Sequence, residues 1–301
     1  MSTLAVVLVD YKTTERTVAY VREELAKVKC PMRIVIVDNA SSTEARAMLT
    51  QELGAVSVDA AEPKADAQAR IVVADAGGNL GFARGNNLGA EIARQLWQPD
   101  FLLFSNNDIR FVQDDVAEYL IDVLEREPEA GIAGPDIVGL DGRRQSPAPY
   151  MPFWDNHLLK GISRLWLSDE ARRKRYHLNY AAQAEEGYHY RILGGFFMAR
   201  AKDFFRCGGF DPKTFLFYEE MILAERLSAI GRGVYWTPQR QVVHEHSATI
   251  GRHVRQKQKE RIALQSELYY YRAYRHYARL NLLLGKAWIR LSNLKKAFLN
   301  K

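Results

Sequence analysis

The strongest constraint on the fold lies at residues 101–108, where Phe101, Leu102, Leu103 and Phe104 give way at once to Ser105-Asn106-Asn107-Asp108. A short apolar run bounded by polar residues reads as a buried strand. Its polar end places acceptors at the carboxyl edge of a sheet, where open α/β sheets bind their ligands. Just upstream, residues 77–89 form a glycine- and asparagine-rich turn that leads into a helix. Together the two segments suggest a site for a phosphorylated ligand and a divalent metal. Either one alone reads equally well as a polar loop capping a strand.

The rest of the chain supplies the sheet that this strand needs. Residues 4–9, 33–37, 71–74 and 131–138 read as strands, and 15–28, 43–53, 87–96 and 112–127 as helices between them. Residues 55–70, rich in Ala and Asp, read as a short edge strand or an excursion. Such alternation predicts a mostly parallel, doubly wound sheet. Residues 141–187 break the pattern with Pro147, Pro149, Pro152, Trp154, Trp166 and the basic run 172–175. They read as an excursion making substrate contacts, or as an insertion that only packs on the body. Regularity returns at 190–200, followed by a glycine turn at 208–212, a helix over 219–230 and strands at 234–236 and 242–246.

Composition narrows the class. A chain of 301 residues that is 47% hydrophobic can bury a substantial core, which excludes disorder. Two cysteines, Cys30 and Cys207, provide neither a disulfide framework nor a spaced metal cluster and suit a reducing cytoplasm. The first residues lack a basic and apolar leader, and no apolar run approaches the ~18–20 residues that span a bilayer. Net charge is +6, but residues 251–301 hold 13 Lys/Arg against two acids, a net of +11, leaving the first 250 residues at −5. The basicity belongs to a tail suited to an anionic surface. An acidic body without a nucleic-acid motif argues against nucleic acid as the partner.

The chemistry gathers at the strand ends. The first strand closes in Val9-Asp10-Tyr11-Lys12 with no GxGxxG turn, so it is not a dinucleotide fingerprint. It looks more like a pocket holding a base between the Tyr11 ring and the Asp38 carboxylate, an acceptor for the ring N–H of uracil or thymine. Such stacking contributes about 1–3 kcal/mol. Residues 38–42 read equally well as a helix N-cap cluster, and both roles are compatible. The 77–89 turn lacks the Lys-Ser/Thr of a P-loop, so phosphate binding would rest on backbone N–H groups, Arg84 and the helix dipole. Asp108 is the natural ligand for Mg²⁺ or Mn²⁺ bridging a diphosphate, and the neutral Asn106 and Asn107 suit ribose hydroxyls or loop orientation. Glu219-Glu220 opens a helix in which Leu223, Leu227 and Ile230 share a stripe, with Glu220 on or beside it. The helix N-terminus favours its charged form while apolar neighbours oppose it, the poise a general base requires; ordinary first-turn acids would look the same. His244 and His246 lie on one side of an extended segment, either as a metal-binding pair or with one of them structural.

Five blocks occur in order: residues 7–12, 36–41, 79–87, 104–108 and 194–244, the last including Gly194-Gly195-Phe196-Phe197-Met198, Gly208-Gly209-Phe210-Asp211, Phe217-Tyr218-Glu219-Glu220 and Val242-Val243-His244. In this the chain resembles glycosyltransferase family 2, the inverting enzymes of the GT-A fold, and within it the rhamnosyltransferase-like branch. The resemblance covers roughly residues 3–250. It implies an α/β, Rossmann-like, mostly parallel sheet flanked by helices over 1–250, with 141–187 on the acceptor side and a basic, aromatic helical tail over 251–301. It further implies an enzyme moving a sugar from UDP or dTDP to a hydroxyl of a glycan or lipid-linked glycan, as in cell-envelope polysaccharide synthesis. Asp10, Tyr11 and Asp38 would hold the base, Asn79 and Arg84 the ribose and diphosphate, and Asn106, Asn107 and Gly195 the rest of the donor. Asp108 would be the metal-binding acid with His244 as second ligand, and Glu220, beside Glu219, would be the base. The chain departs from the branch at three positions: Asn106 for the first acid of Asp-x-Asp, Glu220 for aspartate, and Ile222 for a further acid. The last two motivate an alternative, a catalytically silent relative that binds nucleotide sugar or a partner enzyme. The tail, with Tyr269, Tyr270, Tyr271, Tyr274, Tyr277 and Trp288 among basic residues, suits peripheral docking on the inner face of the cell membrane. Packing of Leu264, Leu268 and Tyr271 on the body, or on a second subunit in a homo-oligomer, is the competing reading.

Overall fold

In the computed structural model, which describes residues 2–40, 42–65, 68–245 and 256–299 and side chains as far as Ile289, ten strands share one sheet. The first half comprises β1 (Leu4–Asp10), β2 (Met32–Asp38), β3 (Val56–Val58), β4 (Ile71–Asp75) and β5 (Phe101–Ser105), paired parallel in the order β3-β4-β2-β1-β5. The second half adds β6 (Ile109–Phe111), β7 (Ala130–Gly139), β8 (Gly187–His189), β9 (Phe196–Arg200) and β10 (Gly233–His244). Here β9 is antiparallel to both β5 and β7, β10 runs parallel to β7, and β6 and β8 pair antiparallel with β10. The edge-strand reading of residues 55–70 holds, since β3 lies at one end of the strand order.

Both faces of the sheet are covered, as the near-continuous apolar strands require. Along β1, Leu4, Val6 and Leu8 enter one apolar layer with Val18 and Val21 of α1 (Thr14–Glu23), Leu49 of α2 (Thr43–Leu53) and Leu120 and Leu124 of a later helix. Ala5 and Val7 enter the opposite layer with Ala83, Ala90 and Ala93 of α3 (Gly81–Trp97). A side chain at Gly89 would place its Cβ 2.5 Å from Val7 Cγ1, so glycine is what lets α3 lie this close to β1. Leu120 and Leu124 belong to α4 (Val116–Arg126), which begins four residues later than its pattern suggests, residues 112–115 forming the turn that follows strand β6 (Ile109–Phe111). Conversely α3 begins six residues earlier than expected. The side chains of Asn39 and Asn79 accept the Leu80 and Gly81 N–H groups, at 2.7 and 3.0 Å, which satisfies the first turn and draws the glycine-rich segment into the helix.

The excursion contains α5 (Asp169–Arg175), and α6 (Ala201–Arg206) and α7 (Glu219–Ala229) follow in the second half. The tail forms α8 (Gln256–Ala273) and α9 (Arg279–Leu299). It packs on the body through a third apolar cluster of Phe153, Ile222, Tyr270, Tyr271 and Leu282. The tail tyrosines are thereby committed to protein contacts. Tyr269 and Tyr274 each donate to Asp211 Oδ2 at 2.6 Å, and Tyr271 donates to the Met151 carbonyl at 2.6 Å. The packing alternative for Tyr271 is the one realised. Ile222 lies under these rings, where a carboxylate would be desolvated at high cost. Among the described residues, no helix is long and apolar enough to cross a membrane.

Candidate active site

The antiparallel pairing of β6 with β10 sets Ile109 opposite His244, which brings Asp108 beside the end of β10. The Glu245 N–H donates to the Asp108 carbonyl at 2.9 Å, and His244 Nε2 lies 3.3 Å from Asp108 Oδ1, both side chains being buried. His244 Nδ1 is 3.1 Å from Gln145 Oε1. An amide oxygen only accepts, so Nδ1 carries a hydrogen and Nε2 faces Asp108. A carboxylate oxygen and an imidazole nitrogen so placed suit a shared proton or a divalent cation, and Mn²⁺ accepts both ligand types. Among the described residues, no group of three or more His, Cys, Asp or Glu could hold a metal. A cation here would complete its shell with phosphate and water, the habit of metals that bridge diphosphates. Gln145 was not legible in the sequence, being a single amide in a proline-rich stretch. His246 lies outside the described residues.

The other polar residues at the strand ends diverge. Asn106 lines a cavity, and its N–H donates to the Gly195 carbonyl at 2.8 Å. Asn107 instead donates to the hydroxyls of Thr13 and Thr17, at 2.9 and 2.8 Å. Asp10 accepts from Thr13, Thr14 and Thr17 at 3.1, 2.7 and 2.9 Å. The side chains of Asp10 and Asn107, expected at the nucleotide, are therefore engaged in a polar knot at the start of α1 that fixes the 106–108 turn. Asp38 is buried and ion-paired with Arg46 Nε at 3.1 Å, and Arg46 also bonds Asp75. Arg46 is a second residue that sequence reasoning missed. Asn79 serves the turn before α3, and Arg84 Nε donates to the Pro212 carbonyl at 2.9 Å, tying α3 to the 208–212 turn. The Lys12 ammonium stands 5.5 Å from the centre of the Tyr11 ring.

Two hollows lie near these strand ends. One, of about 750 Å³, is lined by Lys12, Arg16, Ala40, Ser42 and Met48. The other, of about 540 Å³, is lined by Asn106, Lys160, Arg191, Gly194, Gly195, Glu220 and His244, and is walled by Tyr150, Tyr176, Tyr270 and Tyr271. His244 faces the second hollow, while its neighbour Glu245 ion-pairs with Arg16 of the first. The end of β10 thus stands between them.

The two glutamates divide their roles differently from the sequence expectation. The core-facing stripe runs through Glu219, Leu223 and Leu227, so the residue buried at the helix start is Glu219, only 4% exposed, and not Glu220. Burial, and after it the negative charge of Glu220, pushes the Glu219 carboxyl up to about 8. Among the described residues, its Oε1 has no hydrogen-bond partner. Glu220 opens onto the second hollow, with Oε1 3.9 Å from Arg191 Nη1. A Cβ on Gly194 would come within 3.9 Å of Glu220 Cδ, and one on Gly195 within 3.7 Å of His244 Cε1. The glycine pair therefore keeps open the space between the carboxylate and the candidate metal site. Ahead of the helix, Phe217 and Tyr218 adopt φ of 72° and 71°. Two successive left-handed residues other than glycine cost about 1–3 kcal/mol each. Tyr218 is held there by donating to Glu267 Oε1 of α8 at 2.6 Å.

The Glu219 shift makes stability depend on pH. The unfolded chain releases this proton near the ordinary value of 4.5, whereas the fold keeps it to about 8. The native state binds the extra proton between these values, so its stability falls as pH rises through that window. Glu219→Gln, which keeps the shape without the charge, is expected to flatten the decline. Melting temperatures of both proteins from pH 5 to 9 check this, and parallel curves would remove Glu219 as the cause.

No protein-family model matches the chain. It is 27% identical over 186 residues to the N-acetylglucosaminyl-diphospho-decaprenol L-rhamnosyltransferase of Mycobacterium tuberculosis, a match covering 58% of this chain and 59% of that protein. It is 24% identical over 174 residues to the rhamnosyltransferase WbbL of Escherichia coli K12, covering 56% of this chain and 62% of the relative. The matches thus span less than two thirds of these relatives. Among solved structures, the mannosyltransferase PcManGT of Pyrobaculum calidifontis, in complex with GDP-Man and Mn²⁺, superposes with a TM-score of 0.56 at 12% identity, over 96% of this chain and 70% of that one. GalNAc-T7 with UDP, GalNAc and Mn²⁺ superposes with a TM-score of 0.53 at 15% identity, over 83% and 45%. These likenesses concern the fold.

Proposed function

We propose that the chain is a rhamnosyltransferase-like protein of glycosyltransferase family 2, and that it moves a sugar from a UDP- or dTDP-sugar to a hydroxyl of a lipid-linked glycan at the inner face of the membrane; its similarity to two rhamnosyltransferases and its GT-A fold support this. The transfer inverts the anomeric carbon. The observation that carries this reading is the placement of Glu220 and of His244, the neighbour of Asp108, on one hollow, with Gly194-Gly195 between them. The nucleotide lies toward the hollow of Lys12, Arg16 and Ser42, its base stacked on Tyr11 with Asp38 taking the ring N–H. The sugar and acceptor occupy the second hollow. There Glu220 accepts the proton of the attacking hydroxyl, and Arg191 holds the carboxylate in place. Glu219, keeping its own proton at neutral pH, adds no second negative charge beside the base. Asp108 and His244 would hold Mg²⁺ or Mn²⁺, which when bound stabilises the charge on the departing diphosphate.

Thermal-shift titration with UDP- and dTDP-sugars, with and without Mn²⁺, followed by transfer assays on lipid-linked acceptors, tests the reading. Saturable, Mn²⁺-enhanced donor binding with turnover is the expected result. Saturable binding without turnover on a broad acceptor panel would favour the catalytically silent alternative, to which the burial of Ile222 under the tail lends its support.

A further inference from the structure

We propose that the outward face of α9, together with Ile162, Leu165 and Trp166, lies on an anionic bilayer surface and so presents the second hollow to an acceptor embedded in that bilayer. The clause about the acceptor rests on the function proposed above; the docking itself does not.

The argument begins with a helix that is apolar on two sides. Leu282, Gly285 and Ile289 form the side that packs inward, and a Cβ on Gly285 would stand 2.1 Å from Phe153 Cε1. One apolar stripe is what a helix needs to pack on its own protein. Leu280, Leu283, Leu284 and Trp288 recur at i, i+3, i+4 and i+8 on another side, with Leu280 67% and Leu283 63% exposed. The excursion adds Ile162, Trp166 and Leu165, the last 84% exposed. The two patches are joined, because Trp288 Nε1 donates to the His157 carbonyl at 3.2 Å and residue 157 leads through continuous helical turns to 165. From that same stretch Lys160 lines the second hollow. The segment therefore has one side in the candidate site and another in the exposed apolar surface.

Charge selects the occupant. Residues 251–301 carry a net of +11, and the exposed Arg164, Arg173, Lys174, Arg175 and Arg279 border the apolar residues in sequence. A second copy of the chain on this face would set +11 against +11. An anionic bilayer meets both the cations and the apolar stripe, with Trp166 and Trp288 suited to the headgroup level.

Flotation of the full chain with vesicles decides the matter. At low salt, at least tenfold more protein is expected on phosphatidylglycerol/phosphatidylcholine vesicles than on phosphatidylcholine alone. The triple variant Leu280→Glu, Leu283→Glu, Leu284→Glu is expected to lose this tenfold advantage with an unchanged melting temperature. It should keep transfer to a water-soluble, short-chain acceptor and lose transfer to the vesicle-embedded one. The pair Arg279→Glu, Lys286→Glu, which leaves the apolar stripe intact, should weaken flotation in the same direction. Wild-type protein that stays unbound, or a triple variant that floats like wild type, overturns the proposal. So does a dimer that the triple variant dissociates, which would assign the face to a second copy. Flotation without transfer to either acceptor upholds the docking and removes the enzymatic reading.

Discussion

Glu220→Gln is expected to lower the transfer rate by about 10²- to 10⁴-fold, the usual contribution of a positioned general base. The amide keeps the size and one acceptor oxygen of the carboxylate but cannot take up the proton of the attacking hydroxyl. Since Glu220 borders the second hollow and not the one assigned to the nucleotide, donor affinity should change little, so the loss falls on kcat. A second effect separates this variant from a merely structural one. With the charge at 220 gone, the smaller of the two forces raising Glu219 is removed and burial remains. The decline of stability should therefore end at a lower pH than in the wild type and persist. A Glu220→Gln protein that transfers sugar at the wild-type rate would take this residue out of the mechanism.

Asp108→Asn is expected to be as damaging by a different route. Asp108 is the carboxylate of the candidate metal pair, and loss of several kcal/mol of charge stabilisation at the leaving group corresponds to about 10²- to 10⁴-fold in rate. The signature is in the metal titration: half-maximal activity should require far more Mn²⁺, and the Mn²⁺-dependent part of the donor thermal shift should vanish. Gln145→Ala provides a graded control. Gln145 Oε1 meets the nitrogen of His244 that faces away from Asp108, and removing such a partner typically costs about 10–100-fold in metal affinity. If Asp108→Asn left both the Mn²⁺ requirement and the donor shift untouched, the pair would be a buried hydrogen-bonded contact and nothing more.

Much of the sheet was legible because buried strands write themselves as apolar runs with polar ends. The run at 101–104 marked β5 to within one residue, and the termini of α2 coincide with their pattern. The misplaced boundaries share a cause. Residues 81–86 look like a loop because glycine and asparagine favour turns, yet Asn39 and Asn79 supply side-chain acceptors from outside the helix. No local pattern reports a cap delivered from forty residues away. Residues 109–111 alternate around a single polar side chain and are too short to register as a strand by themselves; only the partner strand β10 makes them β.

The candidate site divides in the same way. Asp108 and His244 could be paired before any geometry only through the family resemblance, which implies both as metal ligands. The exchange between Glu219 and Glu220 could not, since adjacent residues differ by about a third of a turn and a small error in the helix start decides which is buried. Asp10 and Asn107 occur in polar strand-end sequences that look alike whether the side chain meets a ligand or the threonines of the next helix. Gln145 and Arg46 belong to elements remote in sequence, and nothing in their neighbourhoods distinguishes them from surface residues.

The tyrosines of α8 have a consequence for how this molecule can be divided. Charge alone would split it near residue 250, into an acidic enzyme and a basic appendage. Yet Tyr270 and Tyr271 wall the hollow that holds Glu220, and Glu267 grips the strained Tyr218 just ahead of it. A fragment ending before α8 would lose that wall and release the left-handed turn, letting the base drift from its mark. On the function proposed above, acceptor choice and proton abstraction would be inherited as one unit, and lineages that trade their last fifty residues would alter both at a stroke.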